Sequence, residues 1–125
     1  MIQVRRVYDN RQPGSPLPPP GTVCFLVERL WPRGMRKEAL ELNGGWLRDA
    51  APSTALRRWF GHDPARWAEF RRRYREELDA HPGVLEPMID AARRQDIVLY
   101  YSARDVRHNS ALVLKEYLES RIASR

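Results

Sequence analysis

The spacing of hydrophobic and polar positions changes several times along this chain, and each change marks a predicted element. Ile2 and Val4 alternate with polar neighbours, which predicts a short strand from Ile2 to Tyr8. Thr22 to Leu30 (TVCFLVERL) is nearly continuously apolar, the pattern of a central strand buried on both faces. Asp96 to Tyr101 (DIVLYY) reads the same way. Elsewhere the apolar period lengthens to that of a helix. Trp67, Phe70, Tyr74 and Leu78 share one face of a helix from Pro64 to about Ala80, with Asp63 as its cap and Pro64 in the first helical position. Pro52 and Ser53 open a short helix through Leu56, Trp59 and Phe60 that Gly61 stops. After Pro82-Gly83, Leu85, Met88, Ile89 and Ala92 mark a further helix ending near Arg94. Ala111, Leu114, Leu118 and Ile122 give the last helix its apolar stripe.

The stretch from Arg36 to Ala51 fits neither period. Gly44-Gly45 breaks any long helix there, and Trp46-Leu47 is expected to pin a loop or short helix onto the core. Strands separated by helices predict an α/β fold: a small single-domain sandwich with a mainly parallel sheet flanked by helices. With 125 residues the expectation is one domain spanning 1–125, interrupted by a proline-rich surface loop at 11–21 (RQPGSPLPPPG). Its tandem prolines favour a stiff extended shape, read as a surface connection rather than a docking segment.

Composition narrows the function classes. The chain has no apolar run long enough to span a membrane, and its polar, arginine-bearing start lacks the apolar core of a secretory signal. A cytoplasmic location is expected. The single cysteine, Cys24, sits inside an apolar strand pattern and reads as a buried, inert thiol. The formal charge is +6, and the only lysines are Lys37 and Lys115, so arginine carries the excess. That excess suits a polyanionic partner, yet a GC-rich coding bias enriches arginine in the same way. On the long helix, Glu69 with Arg73 and Arg72 with Glu76 stand four residues apart. The interleaved acids argue for a self-paired, solvated face over a nucleic-acid stripe along Arg71, Arg72, Arg73 and Arg75.

Candidate chemistry gathers in two segments. Val27 to Gly34 (VERLWPRG) leaves a strand with Arg29, Trp31 and Arg33 held by Pro32 and Gly34. Guanidinium groups so held suit bidentate binding of phosphate or carboxylate. The alternative is that these arginines pair with the chain's own acids while Trp31 is core. Ser102 to Asn109 (SARDVRHN) joins a buried strand to a helix, where ligands of α/β sheets collect. Ser102 and Asn109 offer neutral donors, Arg104 a charge, and His108 a group that titrates near neutrality. If the strand from Thr22 lies parallel and adjacent, its end delivers Arg29 and Arg33 to the same rim. Against this, Ser102 or Asp105 can simply cap the final helix with His108 packed over it, or Asp105 can neutralise Arg29 or Arg33.

No glycine-rich phosphate loop followed by lysine and no GxSxG elbow occurs. Cys24 lies too early in its strand to serve as a nucleophile. His62, Asp63, Asp105 and His108 match no strong ligand spacing, so no metal site is assigned, and no cofactor is implied.

ERLWPRG, then APSTALRRWFGHDPARWAEFRRRY, then YYSARDVRHNSALVLKEYL resemble the YeaO-like family of bacterial domains of unknown function. The resemblance covers nearly the whole chain in order and implies a small α/β domain. Its motifs map onto Arg29, Trp31, Pro32, Arg33 and Gly34, onto Trp59, Phe60, His62, Asp63, Pro64, Trp67, Phe70 and Tyr74, and onto Ser102, Asp105 and Asn109. It implies no activity. The first motif usually carries aspartate where this chain has Glu28, so Glu28 is not taken as catalytic; the proline-rich loop is longer than usual.

The functional expectation is an anion-binding domain taking a nucleotide, a nucleic-acid end or a phosphorylated metabolite at the C-terminal ends of its strands. Arg29, Arg33 and Arg104 would grip the phosphate, Ser102 and Asn109 would complete the cradle, and Trp31 or Trp59 would stack on a base or exclude water. The alternatives are an enzyme acting on a phosphate ester with Asp105 or His108 as proton carrier, and a protein-interaction module.

Overall fold

A computed structural model of the protein describes residues 1–11 and 17–124; of the proline-rich loop expected at 11–21, residues 12–16 lie outside it. Four strands, β1 (Ile2–Arg6), β2 (Val23–Leu26), β3 (Gly45–Trp46) and β4 (Ile97–Tyr101), form one sheet in the order β1-β4-β2-β3. Every pairing is parallel. Four α-helices complete the elements: α1 (Thr54–Phe60), α2 (Trp67–Ala80), α3 (Glu86–Arg94) and α4 (Ser110–Ala123). The fold is the small α/β domain that the alternation of strands and helices predicts.

β4 is buried along its whole length, which its uninterrupted apolar run requires. It pairs with β1 from Ile2↔Ile97 to Arg6↔Tyr101 and with β2 from Val23↔Ile97 to Leu26↔Tyr100. Successive side chains of a strand point to opposite faces, so each run feeds two cores. Phe25, Ile97 and Leu99 pack with Leu56, Phe60, Phe70, Tyr74, Leu114 and Leu118 from the helices. Cys24, Leu26, Val98 and Tyr100 pack instead with Val7, Met35 and Leu40, against which Trp31 and Trp46 lie. The helices therefore cover one face, and the segment between β2 and β3 covers the other. Burial of Cys24 there raises its thiol pKa above the ordinary value.

Helix ends fall where the sequence marks them. Ser53 Oγ accepts the Leu56 N–H, and Gly61, at φ 55°, closes α1 with its own N–H on the Arg57 carbonyl. Asp63 caps a 3-10 turn at Pro64–Arg66, so the regular α-helix begins at Trp67 rather than at Pro64. On α2, Phe70, Tyr74 and Leu78 face inward. The outer face is self-paired: Arg72 bridges Glu69 and Glu76, Arg73 reaches Glu69, and Arg71 and Arg75 both reach Glu116 on α4.

The strand expected to run to Leu30 ends at Leu26. Val27 still donates to Tyr100, at 3.2 Å, after which the chain departs from the sheet. On its far edge β2 is completed partly by a side chain, Asn43, which accepts the Cys24 N–H at 2.7 Å and donates to the Thr22 carbonyl at 3.0 Å. β3, the element without a periodic signal, then runs alongside for two residues. Gly44 makes that approach possible, because a Cβ there would stand 2.5 Å from Phe25 Cε1.

Among the described residues no helix is long and apolar enough to cross a membrane. Because the Phe25 ring is only 2% exposed, it cannot swing aside for an added methyl group at position 44. Gly44→Ala is expected to cost about 1–3 kcal/mol of stability through overpacking, seen as a lower urea midpoint with an unchanged slope.

Candidate functional site

β2 and β4 run parallel and adjacent, so their carboxyl ends open on one rim. Glu28, two residues beyond β2, reaches across to the first residue after β4. Its Oε1 accepts both the Ser102 N–H at 2.7 Å and the Ser102 hydroxyl at 2.8 Å. This carboxylate joins the two strand ends past the point where the backbone ladder stops.

The loop that follows is organised by Asp105. Its Oδ1 accepts the N–H groups of Arg107 at 2.9 Å and His108 at 3.0 Å, and its Oδ2 stands 2.9 Å from His108 Nδ1. The Arg107 N–H foremost, then the His108 ring, holds the Asp105 carboxyl below the usual aspartate value. Asn109, buried, accepts the Leu112 N–H at 3.1 Å and donates to the Asp105 carbonyl at 3.1 Å. Capping of α4 thus falls to Asn109, not to Ser102 or Asp105. Trp67 and His108 meet in a T-shaped arrangement with ring centroids 5.2 Å apart, so the imidazole packs against an indole as well as pairing with its aspartate. With Nδ1 donating to the carboxylate, Nε2 is the ring nitrogen that the aspartate does not engage.

A cavity of about 740 Å³ lies over this rim. Glu28, Ser102, Arg104, Asp105, His108 and Asn109 contribute from the strand ends, and α1 contributes Arg57 and Arg58, with His62 just beyond it. Phe60, Phe70, Pro52 and Leu30 supply apolar wall. Both carboxylates are engaged by donors of the rim itself, as described. Arg57, Arg58 and Arg104 form no salt bridge with any described residue. The lining therefore presents three guanidinium groups outside any salt bridge with a described residue, beside two carboxylates that are hydrogen-bonded within the rim.

Of the residues that sequence singled out, Ser102, Arg104, Asp105, His108 and Asn109 meet at this cavity; Arg29, Trp31, Arg33 and Trp59 do not line it. Arg29 donates to the Ala51 carbonyl at 3.0 Å, to the Pro52 carbonyl at 3.4 Å and to Asp49 at 3.3 Å. It anchors the segment leading into α1 and belongs to a separate hollow of about 190 Å³. The Trp31 indole donates to the Met35 carbonyl at 2.6 Å and meets Trp46 edge-on, on the sheet face away from the helices. Arg33 is exposed, with its carbonyl accepting the Tyr8 hydroxyl at 2.8 Å, and Gly34 turns the chain at φ 72°. Trp59 lies beneath the guanidinium groups of Arg73, at 4.2 Å, and Arg66, at 5.3 Å. For Arg29, Trp31 and Arg33 the cause is the early end of β2. Once the chain leaves the sheet after Leu26, Glu28 takes the place on the rim and everything after Leu30 turns away.

Arg57, Arg58 and Glu28 reach the cavity without having been singled out for it, and His62 entered the sequence reading only as a weak metal ligand. For α1 a signal existed: Leu56 and Phe60 turn inward, which leaves Arg57 and Arg58 on other faces of a seven-residue helix. Among the described residues no cluster of three or more His, Cys, Asp or Glu side chains could hold a metal ion.

A family model described as the inactive DUF488-N3 subclade matches residues 1–125. The chain is similar to the uncharacterised protein YeaO of Escherichia coli strain K12, 39% identical over 119 residues, covering 95% of this chain and 97% of that one. It is also similar to uncharacterised proteins of Mycobacterium bovis and Mycobacterium tuberculosis, 34% identical over 120 residues, covering 96% of this chain and 95% of each relative. No solved structure matches it.

The lowered pKa of Asp105 links the rim to stability. A carboxyl depressed in the folded state stabilises it fully above the unfolded pKa, near the ordinary 3.8, and loses that contribution as pH falls through the folded value. The difference in urea midpoint between wild type and Asp105→Asn is therefore expected to be widest near neutrality and to narrow below pH 3.8.

Proposed function

The chain belongs to the YeaO-like family, and from that premise we propose that it binds a small phosphate-bearing molecule, a nucleotide or a phosphorylated metabolite, in the cavity over β2 and β4. One observation carries the reading: Arg57, Arg58 and Arg104 line a single concave site without acidic partners, while its two carboxylates are already engaged by the rim. A guanidinium fork matches the geometry of phosphate oxygens, and its attraction is strengthened in a partly enclosed site. The volume of about 740 Å³ falls in the range of small-molecule sites and well exceeds a bare phosphate. A nucleic-acid coat is a weaker reading, since the arginines of α2 are tied to Glu69, Glu76 and Glu116.

Binding is preferred to turnover. The Asp105–His108 pair lines the cavity and would be the proton carrier of a phosphate-ester enzyme, with Nε2 of His108 as the working atom. But the Ser102 hydroxyl donates to Glu28 rather than to His108, so the Asp105–His108 pair does not activate it. The subclade to which the chain belongs is described as inactive, which favours a retained ligand over a reaction. On this reading the pair serves to orient His108 towards a ligand.

Isothermal titration with inorganic phosphate and AMP tests the site. Wild type binds at least one of them, and Arg58→Ala or Arg104→Ala weakens that binding about tenfold or more, the effect of a lost charge-assisted hydrogen bond. Arg33→Ala, outside the cavity, leaves it unchanged. Raising the salt concentration narrows the gap between wild type and the cavity variants. Failure of wild type to bind either probe would remove the proposal.

A further inference from the structure

His62 is the only non-glycine residue with positive φ among the described residues, at 56°. It follows Gly61, itself at 55°, in the turn between α1 and the segment that Asp63 caps. The turn is closed by backbone bonds on either side, from Gly61 to the Arg57 carbonyl and from Asp63 to the Phe60 carbonyl, each at 3.0 Å. Nothing in those bonds calls for an imidazole. A left-handed position is sterically unfavourable for a residue with Cβ and is met most easily by glycine or asparagine.

Nor do packing or pairing explain the side chain. His62 is exposed, its ring contact is a tilted approach to Phe60 at 6.3 Å, and it makes no hydrogen bond or ion pair with any described residue. What it does is line the cavity, immediately after the helix that supplies Arg57 and Arg58. Phe60 also contacts Trp67, whose ring meets His108 in a T-shaped arrangement, so the two cavity histidines are linked through one aromatic pair. Strained residues persist where the surroundings enforce them, and they concentrate at ligand sites.

Resting on the proposed phosphate site, we infer that His62 is a ligand-contacting residue that reads a hydrogen-bonding group outside the phosphate. The ligand class is then an organic phosphate carrying a hydroxyl or ring nitrogen beside its anion, of mononucleotide size, and not inorganic phosphate. The guanidinium groups hold charge, which every phosphate offers. The unengaged imidazole adds one donor and one acceptor when neutral, which a bare phosphate uses no better than a further arginine. An imidazole held by a turn of fixed shape discriminates among phosphates by what is attached to them.

The inference makes stability and binding move in different directions. His62→Gly removes the side chain from a position glycine accepts, and His62→Asn keeps the turn with a shorter amide. Both are expected to melt no lower than wild type. Both are expected to bind AMP about tenfold more weakly, as for a lost hydrogen bond, while inorganic phosphate binds as it does to wild type. Arg58→Ala should weaken both probes. AMP affinity unchanged in the two variants overturns the role of His62. So does loss of AMP binding together with a lower melting temperature in both, since that marks a structural residue. Equal loss of phosphate and AMP, or wild type binding phosphate but not AMP, overturns the organic-phosphate class. Wild type binding neither probe overturns the phosphate site itself.

Discussion

A strand buried on both faces must find a partner for every backbone N–H and C=O, and in this protein that strand is β4. Water cannot reach it, so β1 and β2 have to flank it in register. Every pairing is parallel although, among the described residues, the only α-helices between strands stand between β3 and β4, so the β1–β2 and β2–β3 connections return the chain to the same end of the sheet without one. The ends of β2 and β4 consequently open side by side. The loop after β4, the carboxylate two residues after β2 and the helix reached from Arg29 through Ala51 and Pro52 are all placed by that one pairing. The cavity is less a separate feature than the edge of the buried ladder.

Charge is distributed with the same economy. An arginine-rich chain can satisfy its guanidinium groups along a helix if acids recur every three or four residues, and α2 does this with Glu69 and Glu76 and with Glu116 from α4. On α1 no acid is available at that spacing: its seven residues, TALRRWF, contain none. At the rim the two cavity-lining carboxylates are hydrogen-bonded to other donors, Glu28 to Ser102 and Asp105 to the loop it organises. Similar arginines are therefore ion-paired on one helix and, among the described residues, left without a salt bridge on another. Net charge, +6 over the chain, carries no trace of this difference.

Local signals made much of the fold legible. Ser53, Gly61, Asp63 and Pro64 mark helix boundaries through backbone chemistry that needs no tertiary contact. The apolar run of β4 and the stripe of Phe70, Tyr74 and Leu78 record burial directly. The rim segment after β4 was legible for the same reason, because a buried strand running into a polar loop and then a helix puts that loop at a strand end. Arg29, Trp31 and Arg33 were harder. Their direction depends on the residue at which β2 leaves the sheet, and that is decided by the reach of its neighbours rather than by its own apolarity. Val27 is as buried as Leu26, yet it lies past the end of the strand. Arg57 and Arg58 depended on docking: only once Arg29 holds the lead-in to α1 does that helix become a wall of the cavity.

The site that results has two mechanical characters. Ser102, Asp105, His108 and Asn109 are held by short bonds to one another or to Glu28, and Trp67 braces the imidazole, so their positions are set before any ligand arrives. Arg58 and Arg104 are exposed side chains without partners among the described residues, and they must lose rotamer freedom to grip an anion. A ligand therefore gains strength of attraction from the arginines but finds its geometry specified by the rim. Discrimination between similar anions then falls to the fixed groups, because a flexible cation follows a displaced phosphate and a braced imidazole does not. On the proposed reading, that division gives selectivity to the hydrogen-bonded rim around His108 and leaves the guanidinium groups to recognise charge.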